Sequence, residues 1–226
     1  MTVLSRCLIL ILFVLFQSVV SAAPFEPGEK IRYNVSQLGL KVGEATLTFV
    51  GEQTYQEQKT VLILFHAKGF NFFDEEKIYL NPQTYKPIVI LRDLNIFGRK
   101  EKIQELYSNG HIKIIKNAQG KSSEQSIDKA GEIDNIYAFI YRYRQTGEFK
   151  IKDRLSVHLP TKDITIKVAK QTALNTAGKK YSAFYMESEP TQYRLWFDTS
   201  DRKLPLRISG AIGVANTVMA MTGYEN

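Results

Sequence analysis

The sequence predicts a mainly β protein: a strongly curved antiparallel sheet, or a partly open barrel, around one central α-helix. Three observations predict this class. Short apolar-rich runs recur about every ten residues from Lys30 onward, and clusters of Gly, Asn, Pro and Asp separate them. One stretch, at residues 133–144, changes to the helical period. No repeat or linker divides the chain, so residues 23–226 are predicted to form a single β domain.

The first two strands follow from alternation between apolar and polar residues. Their apolar positions are Ile31, Tyr33, Val35, Ala45, Leu47 and Phe49. Leu38 and Gly39 turn the chain between the two runs. Successive side chains of a strand point to opposite faces, so one face of this hairpin is expected to pack and the other to meet water.

Five further strands are predicted before the helix, at residues 60–68, 75–80, 86–94, 99–107 and 111–117. Asn81-Pro82 and Asn109-Gly110 mark turns between them. Asn109-Gly110 is a strong hairpin signal, because both residues tolerate positive φ and a primed turn matches the twist of the strands. The polar stretch at residues 119–129 is assigned no strand.

The helical stripe consists of Ile133, Ile136, Tyr137, Ile140, Tyr141 and Arg144. It predicts one helix at residues 135–145, with Asp134 as the N-cap and Gly147 as the stop. Strands resume at residues 154–159, 163–171, 181–187, 193–198 and 204–212, and the tail at 213–221 is expected to close the sheet. A sheet of so many strands curves, so it is expected to wrap the helix.

The first 22 residues have the layout of a secretory signal peptide. Arg6 precedes an apolar run at residues 8–20, and small residues follow at Ser21, Ala22 and Ala23. The run is short for a membrane span, which needs roughly 20 residues. We expect cleavage after Ala22 and a periplasmic or secreted protein, with a retained N-terminal anchor as the alternative. Cys7 is the only cysteine, so the mature chain has no disulfide, thiolate nucleophile or cysteine metal site.

The mature chain is basic. The whole sequence carries a net charge of +7, and Arg6 is the only charged residue before residue 23, which leaves +6 after cleavage. Outside the cytoplasm such a surface is expected to attract lipid head groups or other anionic envelope polymers rather than nucleic acid. The alternative is a solvated basic surface without a dedicated partner, because the charges are dispersed.

An outer-membrane barrel is the main architectural rival, since export and short alternating segments suit it. The predicted strand at 99–107 opposes this rival. Arg99, Glu101 and Glu105 lie on one parity, and Lys100 and Lys102 lie on the other. Neither face of that strand suits lipid, so the mature chain is predicted not to be an integral membrane protein.

Several motifs, taken in order, resemble a family of exported bacterial proteins, domain-of-unknown-function family 3108. The motifs are Phe25-x-Pro27-Gly28-Glu29-x-Ile31-x-Tyr33, Gly39-x-x-Val42-Gly43-x-Ala45, Tyr79-Leu80-Asn81-Pro82 with Tyr85-Lys86-Pro87, Asp134-x-x-Tyr137 with Tyr141-Arg142, Thr176-x-Gly178-Lys179, and Leu195-Trp196-Phe197-Asp198 leading to Asp201-x-x-x-Pro205. They cover essentially the whole mature chain. The resemblance implies export, but no activity and no catalytic residues to carry over.

No motif indicates catalysis, a metal or a cofactor. His66, His111 and His158 are scattered singly and are predicted to be structural. The Asp198-Thr-Ser-Asp201 cluster lacks the glycine and glutamate of a calcium loop, so it is predicted to be a turn. Nucleophile elbows, phosphate loops and dinucleotide fingerprints are absent from the sequence. We therefore predict no catalytic residue, no metal site and no cofactor, and an enzyme is less expected than a binding protein.

Two predicted loops carry a cluster of large apolar residues. Connections in a meander alternate between the two ends of a sheet, so the loops at residues 69–74 and 95–98 are expected at the same rim. They bear Phe70, Phe72, Phe73, Ile96 and Phe97. These residues are the predicted lip of an apolar ligand site, with a plug of core at the open end as the alternative.

The sequence therefore predicts a non-catalytic envelope protein that binds an apolar or amphipathic molecule, such as a lipid or a lipidated partner, in the concavity of its sheet. The alternative is a structural or protein-interaction module of the envelope, which would dock another protein or the wall through strand edges or its basic face.

Overall fold

The protein's computed structural model describes residues 24–210 and 217–226. The predicted signal peptide and residues 211–216, which include the start of the predicted closing strand, lie outside this part. The strands are β1 (Lys30–Gln37), β2 (Leu40–Tyr55), β3 (Gln58–Gly69), β4 (Phe72–Leu80), β5 (Pro87–Ile96), β6 (Arg99–Ser108), β7 (His111–Ala118), β8 (Lys121–Asp128), β9 (Arg154–Leu159), β10 (Lys162–Thr176), β11 (Lys179–Glu189), β12 (Arg194–Asp198), β13 (Pro205–Ser209) and β14 (Thr217–Glu225). The helix α1 spans Ile136–Thr146.

These strands form one antiparallel sheet in the order β8-β7-β6-β5-β4-β3-β2-β1-β14-β13-β12-β11-β10-β9. The chain steps outward from β1 to β8, crosses through α1, and returns from β9 to β14, which pairs with β1. Hairpin connections join most neighbours, as expected for antiparallel strands. The predicted mainly β fold with one helix is therefore confirmed over the described residues, and the sheet is open, with β8 and β9 at its two edges.

The sheet curves around α1, whose residues supply the middle of a single hydrophobic core. Tyr137 stacks on Phe65 of β3, with ring centroids 4.4 Å apart. Tyr143 meets Phe197 of β12, on the other side of the sheet, at 6.4 Å. The helix thus occupies the centre of the concave face. Among the described residues, no helix is long and apolar enough to cross a membrane.

The helix begins one residue later than predicted. Asn135, with an extended backbone, accepts hydrogen bonds from the amides of Tyr137 (2.8 Å) and Ala138 (3.3 Å), so Asn135 is the N-cap. Asp134 instead is buried and pairs with Arg142 and with Lys86 (3.4 Å). Asn and Asp cap helices about equally well, so local preference did not distinguish them. Gly147 ends the helix as predicted, and its N–H donates to the Tyr143 carbonyl at 2.8 Å.

Strand β8 was not predicted from the sequence, in which residues 119–129 are a polar stretch without a strand pattern. Seven of its eight residues are exposed, so it has no apolar alternation to recognise. It forms because β7 offers unpaired backbone groups, and it pairs with β7 from His111↔Asp128 to Ala118↔Lys121. Tertiary pairing here overrides a weak local pattern.

Candidate functional site

Three hairpin tips meet at one end of the sheet. They join β1 to β2, β3 to β4 and β5 to β6, and we call residues 38–40, 70–71 and 97–98 the hairpin rim. Phe72 pairs with Ile96 across β4 and β5, and the Phe97 amide donates to the Asn71 carbonyl at 2.8 Å. The two predicted loops therefore lie side by side, because two antiparallel strands return the chain to the same end.

A cavity of about 350 Å³ opens at this rim, at the end of the concave face. Its walls are mostly apolar, and they consist of Gln37, Lys41, Val42, Phe70, Asn71, Phe72, Ile96, Phe97 and Thr217. Val42 and Phe72 also pack against the hydrophobic core, so the cavity floor is continuous with that core. Such a volume lies at the lower end of the range of about 300–1,000 Å³ seen for small-molecule sites.

Four of the five predicted rim residues line this cavity: Phe70, Phe72, Ile96 and Phe97. Phe73 does not. It follows Phe72 within β4, so its side chain points to the convex face, where it meets His66 at 5.3 Å between ring centroids. The predicted loop at 69–74 is shorter than expected, because β3 extends to Gly69 and β4 begins at Phe72.

The rim exposes more apolar surface than the five predicted residues provide. Phe70 is 95% exposed and Phe97 is 77% exposed. Leu38 and Leu40, in the first hairpin, are 83% and 73% exposed but were not included in the predicted lip. Connections in a meander alternate between the two ends of the sheet, so the hairpin between β1 and β2 lies at the same end as the other two loops. Leu38 and Leu40 could therefore have been predicted at this rim from the sequence.

Two rim tips hold bulky residues in left-handed backbone conformations. Leu38 has φ 50° before Gly39, and Phe97 has φ 51° before Gly98. Primed hairpin turns strongly favour Asn at the residue before the glycine, as at Asn109-Gly110. Bulky side chains are strained at that residue because its φ is positive. These positions therefore keep an exposed apolar side chain against local backbone preference.

A buried polar cluster lies further along the concave face of β4 and β5. Arg92 donates from Nε and Nη2 to the Asp74 carboxylate at 2.7 and 2.5 Å, and its Nε lies 3.3 Å from Glu76. On β6, the Tyr107 hydroxyl donates to Glu105 at 2.6 Å. Asp74 and Glu76 share a face because they are two residues apart on one strand.

Burial controls the protonation of this cluster. Loss of solvation, with a smaller contribution from the Asp74 charge, raises the pKa of Glu76 to about 7 against the opposing effect of Arg92. Burial also raises the pKa of Glu105. A carboxyl of this kind can exchange a proton near neutral pH. None of the residues that line the rim cavity belongs to this cluster.

Replacing Glu76 with glutamine should flatten the pH dependence of stability. Between its ordinary pKa of 4.5 and its folded value of about 7, the unfolded chain has lost this proton while the folded chain keeps it. Wild-type stability should therefore fall as the pH rises through this window, by up to about 3 kcal/mol. Urea denaturation at pH values from 4 to 8 measures this change in the free energy of unfolding. Glu75→Gln, on the opposite face of β4, is the control and should keep the wild-type slope.

A second buried ion pair fixes the helix to the start of the domain. The Arg144 guanidinium donates to both oxygens of Glu29, at 2.7 and 2.8 Å, and both side chains are almost completely buried. It also donates to the Arg202 carbonyl at 3.0 Å and lies 4.8 Å from the Phe25 ring centroid. The hydrogen-bonded, aromatic-lined environment satisfies both charges, so this pair is a structural element.

The histidines lie apart from the cavity. His66 packs on Phe73, and His158 Nδ1 lies 3.1 Å from Asp163, which is 63% exposed. His111 Nδ1 lies 2.7 Å from Asp128, at the end of the exposed strand β8. Neither histidine-carboxylate pair is enclosed, so the arrangement does not resemble a general-base site.

The Asp198 cluster forms a turn, as expected. The Asp198 carboxylate accepts from the Leu204 amide at 2.8 Å and from the Ser200 hydroxyl at 2.7 Å. Short polar side chains of this kind stabilise turns by local hydrogen bonds. Over residues 24–210 and 217–226, no group of three His, Cys, Asp or Glu side chains is placed to hold a metal ion.

Comparisons with known proteins identify a family but no activity. Residues 32–222 match the family model described as "Protein of unknown function (DUF3108)". No protein with curated annotation shows significant sequence similarity to the chain.

Two solved structures are similar to the chain at low sequence identity. One, from Bacteroides fragilis NCTC 9343, is described as a candidate exported protein with a YmcC-like fold. It is 9% identical, with a TM-score of 0.37, over 90% of this chain and 98% of that one. The other, described as a candidate lipoprotein from Parabacteroides distasonis ATCC 8503, is 11% identical, with a TM-score of 0.30, over 88% of this chain and 96% of that one. TM-scores this low carry no argument about the fold, so the fold class rests on the strand order of this chain.

Proposed function

The chain belongs to the DUF3108 family, whose description assigns no function, and we propose that it is an exported, non-catalytic protein that binds an apolar or amphipathic molecule, such as a lipid. The ligand site is the cavity at the hairpin rim. The observation that carries this proposal is a space of about 350 Å³ with mostly apolar walls, open to solvent at exposed Phe70 and Phe97. Exposed apolar surface beside a concave site is typical of ligand binding.

The size of the cavity suits one acyl chain better than two. The helix fills the centre of the concave face, where Tyr137 and Tyr141 are buried, so the ligand occupies the end of the concavity rather than its middle. A single-chain amphiphile, such as a fatty acid, would place its tail against Val42 and Phe72 and its head group at the mouth.

Lys41 gives the mouth its charge preference. It lines the cavity and is exposed, and its ammonium group donates to the exposed Glu44 carboxylate at 2.8 Å. An exposed pair of this kind contributes little to stability, so exchange of Glu44 for a ligand carboxylate or phosphate costs little. The site therefore favours anionic over neutral amphiphiles.

Filling the cavity should weaken the binding of a fatty acid. Ile96→Trp places a larger side chain into the space, and we expect it to weaken binding of a fluorescent long-chain fatty acid at least about tenfold, equivalent to about 1.4 kcal/mol. The measurement is fluorescence titration of the delipidated mature protein in solution. Val42→Phe is a second filling variant, and thermal unfolding checks that both variants are folded.

Ile151→Trp is the matched control, because it makes the same substitution at an exposed isoleucine that does not line the cavity. It should bind the probe as the wild type does. Absence of saturable uptake by the wild type, or equal uptake by the folded filling variants, would refute the proposal.

The alternative, docking of an envelope protein through a sheet edge, has weaker support. The free edge strand β8 reads Lys-Ser-Ser-Glu-Gln-Ser-Ile-Asp and is almost entirely polar and exposed. Charged, polar edge strands are a common device against pairing with another chain. Partners of this class, including anionic envelope polymers, remain predictions from the sequence.

A further inference from the structure

We infer that the hairpin rim docks onto the surface of an anionic lipid bilayer, with Leu38, Leu40, Phe70 and Phe97 inserted among the head groups. This interaction surface goes beyond ligand binding in the cavity. It requires no occupied cavity, because Leu38 and Leu40 belong to the rim without lining that space.

The distribution of exposed apolar side chains is the first argument. Across the described residues, five large apolar side chains are strongly exposed, and four of them are at the rim; Ile151 is the fifth. The four project from three separate hairpin tips rather than forming a flat patch. Projecting apolar side chains at one end of a molecule suit insertion into the interface of a bilayer.

Backbone strain is the second argument. Leu38 and Phe97 occupy left-handed positions in which asparagine would be less strained. Neither side chain is buried, so packing within the fold does not offset the energetic cost of this strain. Strain held at an exposed site is an indication of function, and insertion into lipid provides the apolar contact that the free protein lacks.

Charge is the third argument, and it selects the partner. Lys68, Arg99 and Lys100 flank the tips and are exposed. Within the described chain, Arg99 and Lys100 form no ion pair, whereas Lys41 pairs with Glu44, which also lies opposite Lys68. Protein interfaces are depleted of charge at their apolar centres, but apolar tips beside basic residues complement an anionic membrane surface.

The test is co-sedimentation with vesicles of phosphatidylethanolamine and phosphatidylglycerol at a ratio of about 3:1, compared with pure phosphatidylcholine vesicles. The mature wild type should bind the anionic vesicles, and added salt should weaken that binding. Combined Lys68→Gln, Arg99→Gln and Lys100→Gln should reduce binding to anionic vesicles without affecting thermal unfolding.

The decisive variant combines Leu38→Asn with Phe97→Asn. We expect vesicle affinity to fall at least about tenfold, because two large apolar side chains no longer enter the bilayer. The unfolding temperature should stay the same or rise, since asparagine suits both backbone positions. Ile151→Asn is the matched control and should bind vesicles normally.

Failure of docking can be separated from failure of ligand binding. Leu38→Asn alone should weaken vesicle binding but leave fatty-acid uptake in solution unchanged, because Leu38 does not line the cavity. No binding of wild type to anionic vesicles, or equal binding by the folded double-asparagine variant, would overturn the docking inference. Neither result would contradict the proposal that the cavity binds a fatty acid.

Discussion

Replacing Glu29 with alanine should lower the free energy of unfolding by about 3–5 kcal/mol. The substitution leaves the Arg144 guanidinium buried without its carboxylate, after the loss of hydrogen bonds of 2.7 and 2.8 Å. The remaining acceptors, the Arg202 and Pro24 carbonyls, carry no compensating charge. Guanidinium chloride denaturation followed by circular dichroism measures the loss.

Two further variants test whether the effect comes from the orphaned charge. Glu26→Ala removes an exposed acidic residue three positions away and should change stability by less than about 0.5 kcal/mol. Glu29→Met combined with Arg144→Met should recover much of the stability lost by Glu29→Ala, because no charge then stays buried. A loss below about 1 kcal/mol for Glu29→Ala would show that Arg144 finds another partner or solvent.

Replacing Arg92 with leucine should destabilise the protein by a similar amount, about 3–5 kcal/mol at pH 8. Asp74 then loses two hydrogen bonds, and Glu76 loses the neighbouring cation that lowers its pKa. At pH 5 the loss should be smaller. The pKa of Glu76, already raised to about 7 by burial, rises further without Arg92, so this carboxyl is neutral at that pH.

Urea denaturation of Arg92→Leu at pH 5 and pH 8 measures this difference. Lys77→Leu is the control, because Lys77 is an exposed cation on the opposite face of β4 and lies 3.8 Å from Glu75. Its removal should change stability by less than about 1 kcal/mol at either pH. An Arg92→Leu penalty that is equal at both pH values would contradict the assignment of Glu76 as the proton-binding member of the cluster.

Much of the candidate site could be predicted from the sequence, because a meander returns the chain to the same end every second connection. This placed Phe70, Phe72, Ile96 and Phe97 together. Phe73 was misplaced because the exact start of β4 decides which of two adjacent residues faces inward. The volume of the cavity depends on how the ends of five strands and two hairpin tips come together, which no local pattern specifies.

The polar cluster was missed for a different reason. Charges on the Arg99–Ser108 strand were interpreted as evidence against lipid contact, and Asp74 and Glu76 belong to no motif that indicates a buried site. Two-residue spacing places Asp74 and Glu76 on one face, but only the neighbouring strand supplies Arg92, 18 residues along the chain from Asp74. Burial of such charges is tolerated only where the fold brings partners together.

By itself, the sequence determined the fold class, the one helix, most of the strands and the family, because strand and helix periods, turn residues and ordered motifs are local properties. The tertiary structure alone decided the open sheet order, strand β8, the Asn135 cap, the Glu29–Arg144 pair and the cavity. Each of these depends on which distant segments become neighbours. Glu29 and Arg144 are 115 residues apart, and only the return of the chain around the helix brings them into contact.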